Sequence, residues 1–192
     1  MDTHNTPCPE CDLIDCVCDI IGTMGIVGLT GKKRSGKDTV FQFMETPGTV
    51  RAAFADNLKR EIAKITGLSV AEVEHNKESL RLLLQAWGAD FRRQFYGEDY
   101  WVKAMEADLF KLEVAGNQWA IVTDVRFPNE AQFLKDVGGT IVRVQRDTDT
   151  IDSHSSETAM DEYEVDYTIN NNGTLDDLKN EVEKLKQWLN DL

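Results

Sequence analysis

The chain has 192 residues, 41% of them hydrophobic, with 21 Lys and Arg against 34 Asp and Glu and a formal net charge of -13. That length serves one core, and no apolar run approaches the roughly 20 residues of a bilayer span. The N-terminus lacks the basic-then-apolar order of a secretion signal, so no membrane partner and a cytoplasmic location are expected. The negative charge argues against a nucleic-acid polymer as partner, because such binding needs cations to neutralise a phosphate backbone. An anionic ligand must then be held by a local basic site.

Residues 1–22 form a tail with all four cysteines, Cys8, Cys11, Cys16 and Cys18. Two close pairs can supply four thiolates to one zinc ion, and a thiol-bearing tail without metal is the other reading. Residues 23–192 read as one domain. Short β-rich runs alternate with helical patterns, the signature of strand-helix-strand units around a mostly parallel sheet. Five strands are predicted, at Met24 to Leu29, Val50 to Phe54, Trp119 to Thr123, Thr140 to Val144 and Tyr167 to Ile169.

The first strand runs into Gly28-Leu-Thr-Gly31-Lys32-Lys33-Arg34-Ser35-Gly36-Lys37-Asp38-Thr39, and a helical pattern follows from Val40 to Met44. Gly31, Gly36 and Lys37 match the spacing G-x-x-x-x-G-K. In that pattern backbone N–H groups wrap phosphates, the lysine reaches the terminal ones, and a helix N-terminus adds its positive end. Lys33, Ser35 and Thr39 belong to the same nucleotide site. Asp38 stands where a hydroxyl residue usually serves magnesium. It can hold the ion through water, orient an acceptor, or cap the helix.

A helix is predicted from Lys77 to Tyr96, with Leu80, Leu84, Trp87 and Phe91 on one face. Arg81, Gln85, Gly88 and Arg92 form the neighbouring stripe, suited to a phosphate and a base edge; a solvated face is the alternative. Tyr100 and Trp101 follow, as a stacking surface or as core. The third strand ends in Asp124-Val-Arg126-Phe-Pro-Asn129-Glu130, where open parallel sheets place their ligands. An internal Asp124–Arg126 pair is the other reading.

Beyond the fourth strand come Arg143, Arg146 and, in a polar stretch, His154-Ser155-Ser156-Glu157. Residues 147–164 read as a mobile cover that excludes water from a transferring phosphoryl group, or as a plain surface loop. The closing helix is capped by Thr174, with Leu175, Leu178, Val182, Leu185 and Leu189 along a core-facing stripe.

The loop with its Asp38, Phe54-Ala55-Asp56 followed by Lys59, the Leu84 to Arg92 segment, the Asp124 to Glu130 motif and His154 to Glu157 occur in an order that resembles the deoxynucleoside monophosphate kinases of tailed bacteriophages. The resemblance runs from about Met24 to the C-terminus. It implies a P-loop NTPase-type three-layer α/β sandwich that phosphorylates deoxynucleoside monophosphates (dNMPs) with ATP and Mg2+ in a host cytoplasm, and a homodimer. It implies that Lys37 holds the transferring phosphate, that Arg126 and an arginine of the Arg81 to Arg92 stripe grip the acceptor, and that Arg146 belongs to the cover. Asp38 joins the catalytic group; Asp56, Lys59, Gln85, Asp124 and Glu157 join the acceptor side. The same Ser-Gly-Lys-Asp loop and strand end are similar to animal-type phosphomevalonate kinases, which have a different acceptor. A nucleotide-binding interaction module without turnover, with zinc in its tail, is the reading from another class.

Overall fold

The computed structural model describes residues 24–147 and 158–192, apart from the side chains of residues 89 and 90. Strands stand where the β-rich runs predict them: β1 Gly25–Thr30, β2 Thr49–Ala52, β3 Trp119–Val122, β4 Thr140–Gln145 and β5 Tyr167–Asn170. They form one sheet in the order β2-β3-β1-β4-β5, and every neighbouring pair is parallel. The sheet is thus wholly rather than mostly parallel. Parallel neighbours require crossover connections, which here carry the helices and bring all the strand carboxyl ends to one edge.

The helices are α1 Lys37–Met44, α2 Phe54–Thr66, α3 Val70–His75, α4 Arg81–Gln85, a π-helical turn Ala86–Arg93, α5 Gln94–Tyr96, α6 Tyr100–Val114, α7 Pro128–Asp136 and α8 Leu175–Asn190. Alternation along the strands sends side chains to two cores. Ala120, Val122 and Ile141 pack with Trp101, Met105 and Leu109 of α6 and Ala131 and Leu134 of α7. Ile121, Val142, Val144 and Ile169 pack on the opposite face with Val40 and Met44 of α1 and Leu178, Val182 and Leu185 of α8. This is the three-layer sandwich expected. No helix among the described residues is long and apolar enough to cross a membrane.

Three local boundaries differ from expectation. β2 ends at Ala52, and Phe54 begins α2 instead of closing the strand. Residues 76–80 are turns, so helix starts at Arg81 rather than Lys77. In α8 the Thr174 side chain accepts from the Asp177 N–H as predicted, but Leu175, in the first turn, is 62% exposed and lies off the core. The cysteine tail and most of the expected cover lie outside the described residues.

Leu185→Ala is expected to lower unfolding free energy by about 2–5 kcal/mol in urea titrations, and Leu175→Ala by no more than about 0.5 kcal/mol. Equal losses would refute this division of the α8 stripe.

Candidate active site

The turn between β1 and α1 depends on its two glycines. Gly31 has φ of +140° and Gly36 of +104°, a region that side chains disfavour. A Cβ on Gly31 would lie 2.3 Å from the Val144 carbonyl oxygen, and one on Gly36 would lie 2.4 Å from Asn171 Nδ2. Lys37 Nζ donates to the carbonyls of Gly31 (2.6 Å) and Lys32 (2.9 Å), across the mouth of the turn. Ser35 is fully buried, and its Oγ has no hydrogen-bond partner. A buried hydroxyl left unsatisfied costs free energy, which an oxygen-rich ligand seated in the turn would recover.

Two clefts flank this turn at the carboxyl edge of the sheet. The larger, about 650 Å³, is bounded by Lys33, Lys37 and Asp38 after β1, Phe54 and Ala55 after β2, and Asp124 and Arg126 after β3. Its outer wall carries Lys59, Arg81, Gln85, Gly88 and Arg93. Nine of its lining residues are Lys or Arg and five are Asp or Glu, so the cleft is basic within a chain of net charge -13. Such a local excess focuses an anionic ligand there. The smaller cleft, about 320 Å³, lies between the ends of β1 and β4 and is lined by Gly31, Lys32, Arg143, Arg146 and Asp161 among others. Lys37 and Arg126 line both clefts.

Asp124 holds the floor of the larger cleft. Its two oxygens accept the N–H groups of Phe54 (2.8 Å) and Ala55 (2.9 Å), capping α2 from a strand 70 residues away. Burial pushes its carboxyl above the usual range, against the pull of those N–H groups. Both oxygens serve the backbone, the Arg126 charge also acts on the carboxyl, and Asp124 lines the cleft. Glu130 does similar work one turn on. It accepts from the N–H groups of Arg126 (2.8 Å) and Phe127 (3.1 Å) and pairs with Arg93 at 2.6 Å. Burial pushes Glu130 up to about 7 in spite of the Arg126 N–H and the Arg93 charge.

The stripe predicted on the Lys77 to Tyr96 helix is reached in part. Arg81, Gln85 and Gly88 line the cleft, but Arg92 does not. Residues 86–93 are π-helical, and i→i+5 bonding accommodates one extra residue in the turn, so Arg93 arrives at the position that α-helical spacing assigns to Arg92. Arg93 is 8% exposed and stacks 4.0 Å from the Phe127 ring centroid. Arg92 points the other way and donates to Glu61 at 2.7 Å. Glu61 also accepts from Trp87 Nε1 and Tyr100 Oη, and these bonds hold its carboxyl below the usual range although burial opposes them. Trp101 is core rather than a stacking surface, its Nε1 bonded to the Gly88 carbonyl. Gly88 serves packing: a Cβ there would lie 3.0 Å from Leu58.

Asp56 pairs with Arg51 (3.0 Å) and Lys59 (3.2 Å), and Lys59 also reaches Glu74 at 2.8 Å. Thr39 lies in the first turn of α1 and lines neither cleft. Arg146 is exposed at the smaller cleft, and Glu157 lies outside the described residues. Sequence reasoning missed Arg93 and Asn171. No local pattern announces a π turn, whereas the run Asn170 to Asn172 at the end of β5 is a polar strand end of the kind that singled out Asp124.

Two measurements bear on this geometry. Arg93→Ala leaves Glu130 buried without its cation and is expected to lose about 3–5 kcal/mol of stability in urea titrations. A loss below about 1 kcal/mol would refute the buried pair. The ion pair with Lys59 and the hydrogen bond from Lys77 outweigh burial and pull Glu74 down to about 2, below its ordinary 4.5. A depressed carboxylate stabilises the fold above its unfolded pKa, and that contribution is lost as pH falls through the folded value. The stability gap between the wild type and Glu74→Gln is therefore expected to narrow from about pH 4.5 down to about pH 2. A gap independent of pH would contradict the pairing.

The profile of the family described as deoxynucleotide monophosphate kinase matches residues 62–182. The chain is 31% identical over 108 residues to the deoxynucleotide monophosphate kinase of Escherichia phage RB69, covering 56% of this chain and 44% of that protein. It is 28% identical over 133 residues to the enzyme of the same name from Enterobacteria phage T4, covering 67% and 55%. An Acanthamoeba polyphaga mimivirus protein, given that name provisionally, is 25% identical over 184 residues, covering 83% and 94%. The chain thus spans about half the length of the two phage relatives it matches. The Gly31 to Lys37 turn lies upstream of the profile match, so its reading rests on motif and geometry.

Proposed function

The chain belongs to the deoxynucleotide monophosphate kinase family, and from that premise we propose that it transfers the γ-phosphate of ATP to a dNMP, giving the diphosphate used for DNA precursors. The observation that carries this reading is the sharing of Lys37 and Arg126 by two clefts. A donor whose phosphates lie on the Gly31 to Lys37 turn and an acceptor in the larger cleft then meet at the same two cations. Lys59, Arg81, Gln85 and Arg126 face the acceptor, and Arg146 approaches from the donor side.

The acceptor phosphate is ionised at neutral pH, so positioning carries more of the work than proton removal. One of its oxygens attacks the γ-phosphorus in line as the bond to the β,γ-bridging oxygen breaks and ADP leaves. Lys37 and the arginines neutralise the charge that spreads over the equatorial oxygens. Asp38 fits a magnesium ion, being an exposed carboxylate in the first turn of α1 that lines the cleft. Such an ion, held by Asp38, would supply further charge neutralisation. Asp124 is the poorer candidate because both oxygens hold backbone N–H groups. The homodimer belongs to this proposal, in keeping with Phe95 and Tyr96, exposed by 70% and 59%; so does a cytoplasmic location.

The test is purified protein with ATP, magnesium and each dNMP in turn, following ADP and the diphosphate product, with phosphomevalonate as the competing acceptor. Turnover with at least one dNMP is expected, and Lys37→Ala is expected to lower kcat by at least about 100-fold with the melting temperature little changed. Turnover with phosphomevalonate alone, or near-normal kcat in the Lys37 variant, would overturn the proposal.

A further inference from the structure

The end of β5 bears on the site through a turn of three asparagines. Asn171 is buried, its backbone N–H donates to the Gln145 carbonyl (2.7 Å), and its Nδ2 donates to the Ser35 carbonyl (2.7 Å) inside the phosphate turn. That amide fills the space that a side chain on Gly36 would need. Asn172 Oδ1 accepts the Asp147 N–H at 2.7 Å, one residue beyond Arg146. Asn170 Oδ1 accepts the Asn172 N–H at 3.0 Å and closes the turn on itself. One short turn therefore grips the phosphate turn on one side and the root of the Arg146 segment on the other.

We propose that Asn171 and Asn172 are positioning residues for the donor nucleotide: Asn171 sets the backbone between Ser35 and Lys37 that receives its phosphates, and Asn172 sets the approach of Arg146. This rests on the ATP reading above and adds two side chains that touch no substrate. The hydrogen bonds are directional, so an isosteric carboxylate at position 171 fails: it loses the donor and faces the Ser35 carbonyl with negative charge.

The variants Asn171→Ala, Asn171→Asp and Asn172→Ala separate this from a general role in folding. Binding of the fluorescent analogue mant-ATP, which needs no acceptor, is measured beside kcat and the KM of each substrate. Both Asn171 variants are expected to weaken mant-ATP binding and raise the KM for ATP about tenfold, with the KM for the dNMP within about twofold. Asn172→Ala is expected to bind mant-ATP within about twofold of wild type and to lower kcat about tenfold. Wild-type binding by Asn171→Asp, or parallel rises in both KM values, would overturn the Asn171 role; wild-type kcat in Asn172→Ala would overturn the other. Should both Asn171 variants fail to fold, the wild-type protein decides: the Asn171 side-chain NH2 resonances shift on adding mant-ATP, and unmoved resonances refute the proposal. If no dNMP is phosphorylated, mant-ATP binding still tests Asn171, so failure of the kinase reading is distinguishable from failure of this one.

Discussion

The carboxylate of Asp124 accepts two successive backbone N–H groups, those of Phe54 and Ala55, and the larger cleft is built around that grip. The first N–H groups of a helix have no partner within the helix, and Ala53, at the α2 N-cap, has no side-chain acceptor to offer. The end of the neighbouring strand β3 supplies it. Chain that leaves β2 is thereby turned into α2 at once, which brings Phe54, Ala55, Leu58 and Lys59 to the cleft. Glu130 repeats the device at the start of α7, holding the Arg126 and Phe127 N–H groups and so the stretch from which Arg126 projects.

These bonds explain how a strongly acidic chain presents a basic cleft. Three of the five acids that line the cleft are engaged in scaffolding: Asp124 and Glu130 with backbone N–H groups, Glu74 with Lys59 and Lys77. Carboxylates tied to fixed donors keep their places, and the surrounding lysines and arginines set the sign of the field. Burial raises the pKa of both Asp124 and Glu130, as expected where a charge is taken from water for structural work.

The π turn from Ala86 to Arg93 sorts two neighbouring arginines to opposite tasks. Arg92 joins Glu61, Trp87 and Tyr100 in a network that fastens the wall to α2, and Arg93 enters the cleft wall against Phe127 and Glu130. Trp101 reaches across from α6 to bond the Gly88 carbonyl within that turn. Wider helical turns carry poorer local energetics than α-helix, and contacts of this kind from outside the segment sustain them.

Much of the architecture is written in local pattern. Apolar runs bounded by turn residues mark all five strands, and the G-x-x-x-x-G-K spacing between a strand and a helix marks the phosphate turn, because periodicity and φ restrictions act over a few residues. The same reasoning located Arg126 and Arg146 at strand ends. What local pattern could not decide lies wherever a partner comes from far along the chain. Arg93 replaces Arg92 because Trp101, Glu130 and Glu61 favour a π turn, and Asp124 caps a helix 70 residues before it. Asn171 reaches Ser35 across 136 residues. Each of these turns on a buried donor or acceptor finding its mate, and which mate is within reach is a property of the packed sheet and helices.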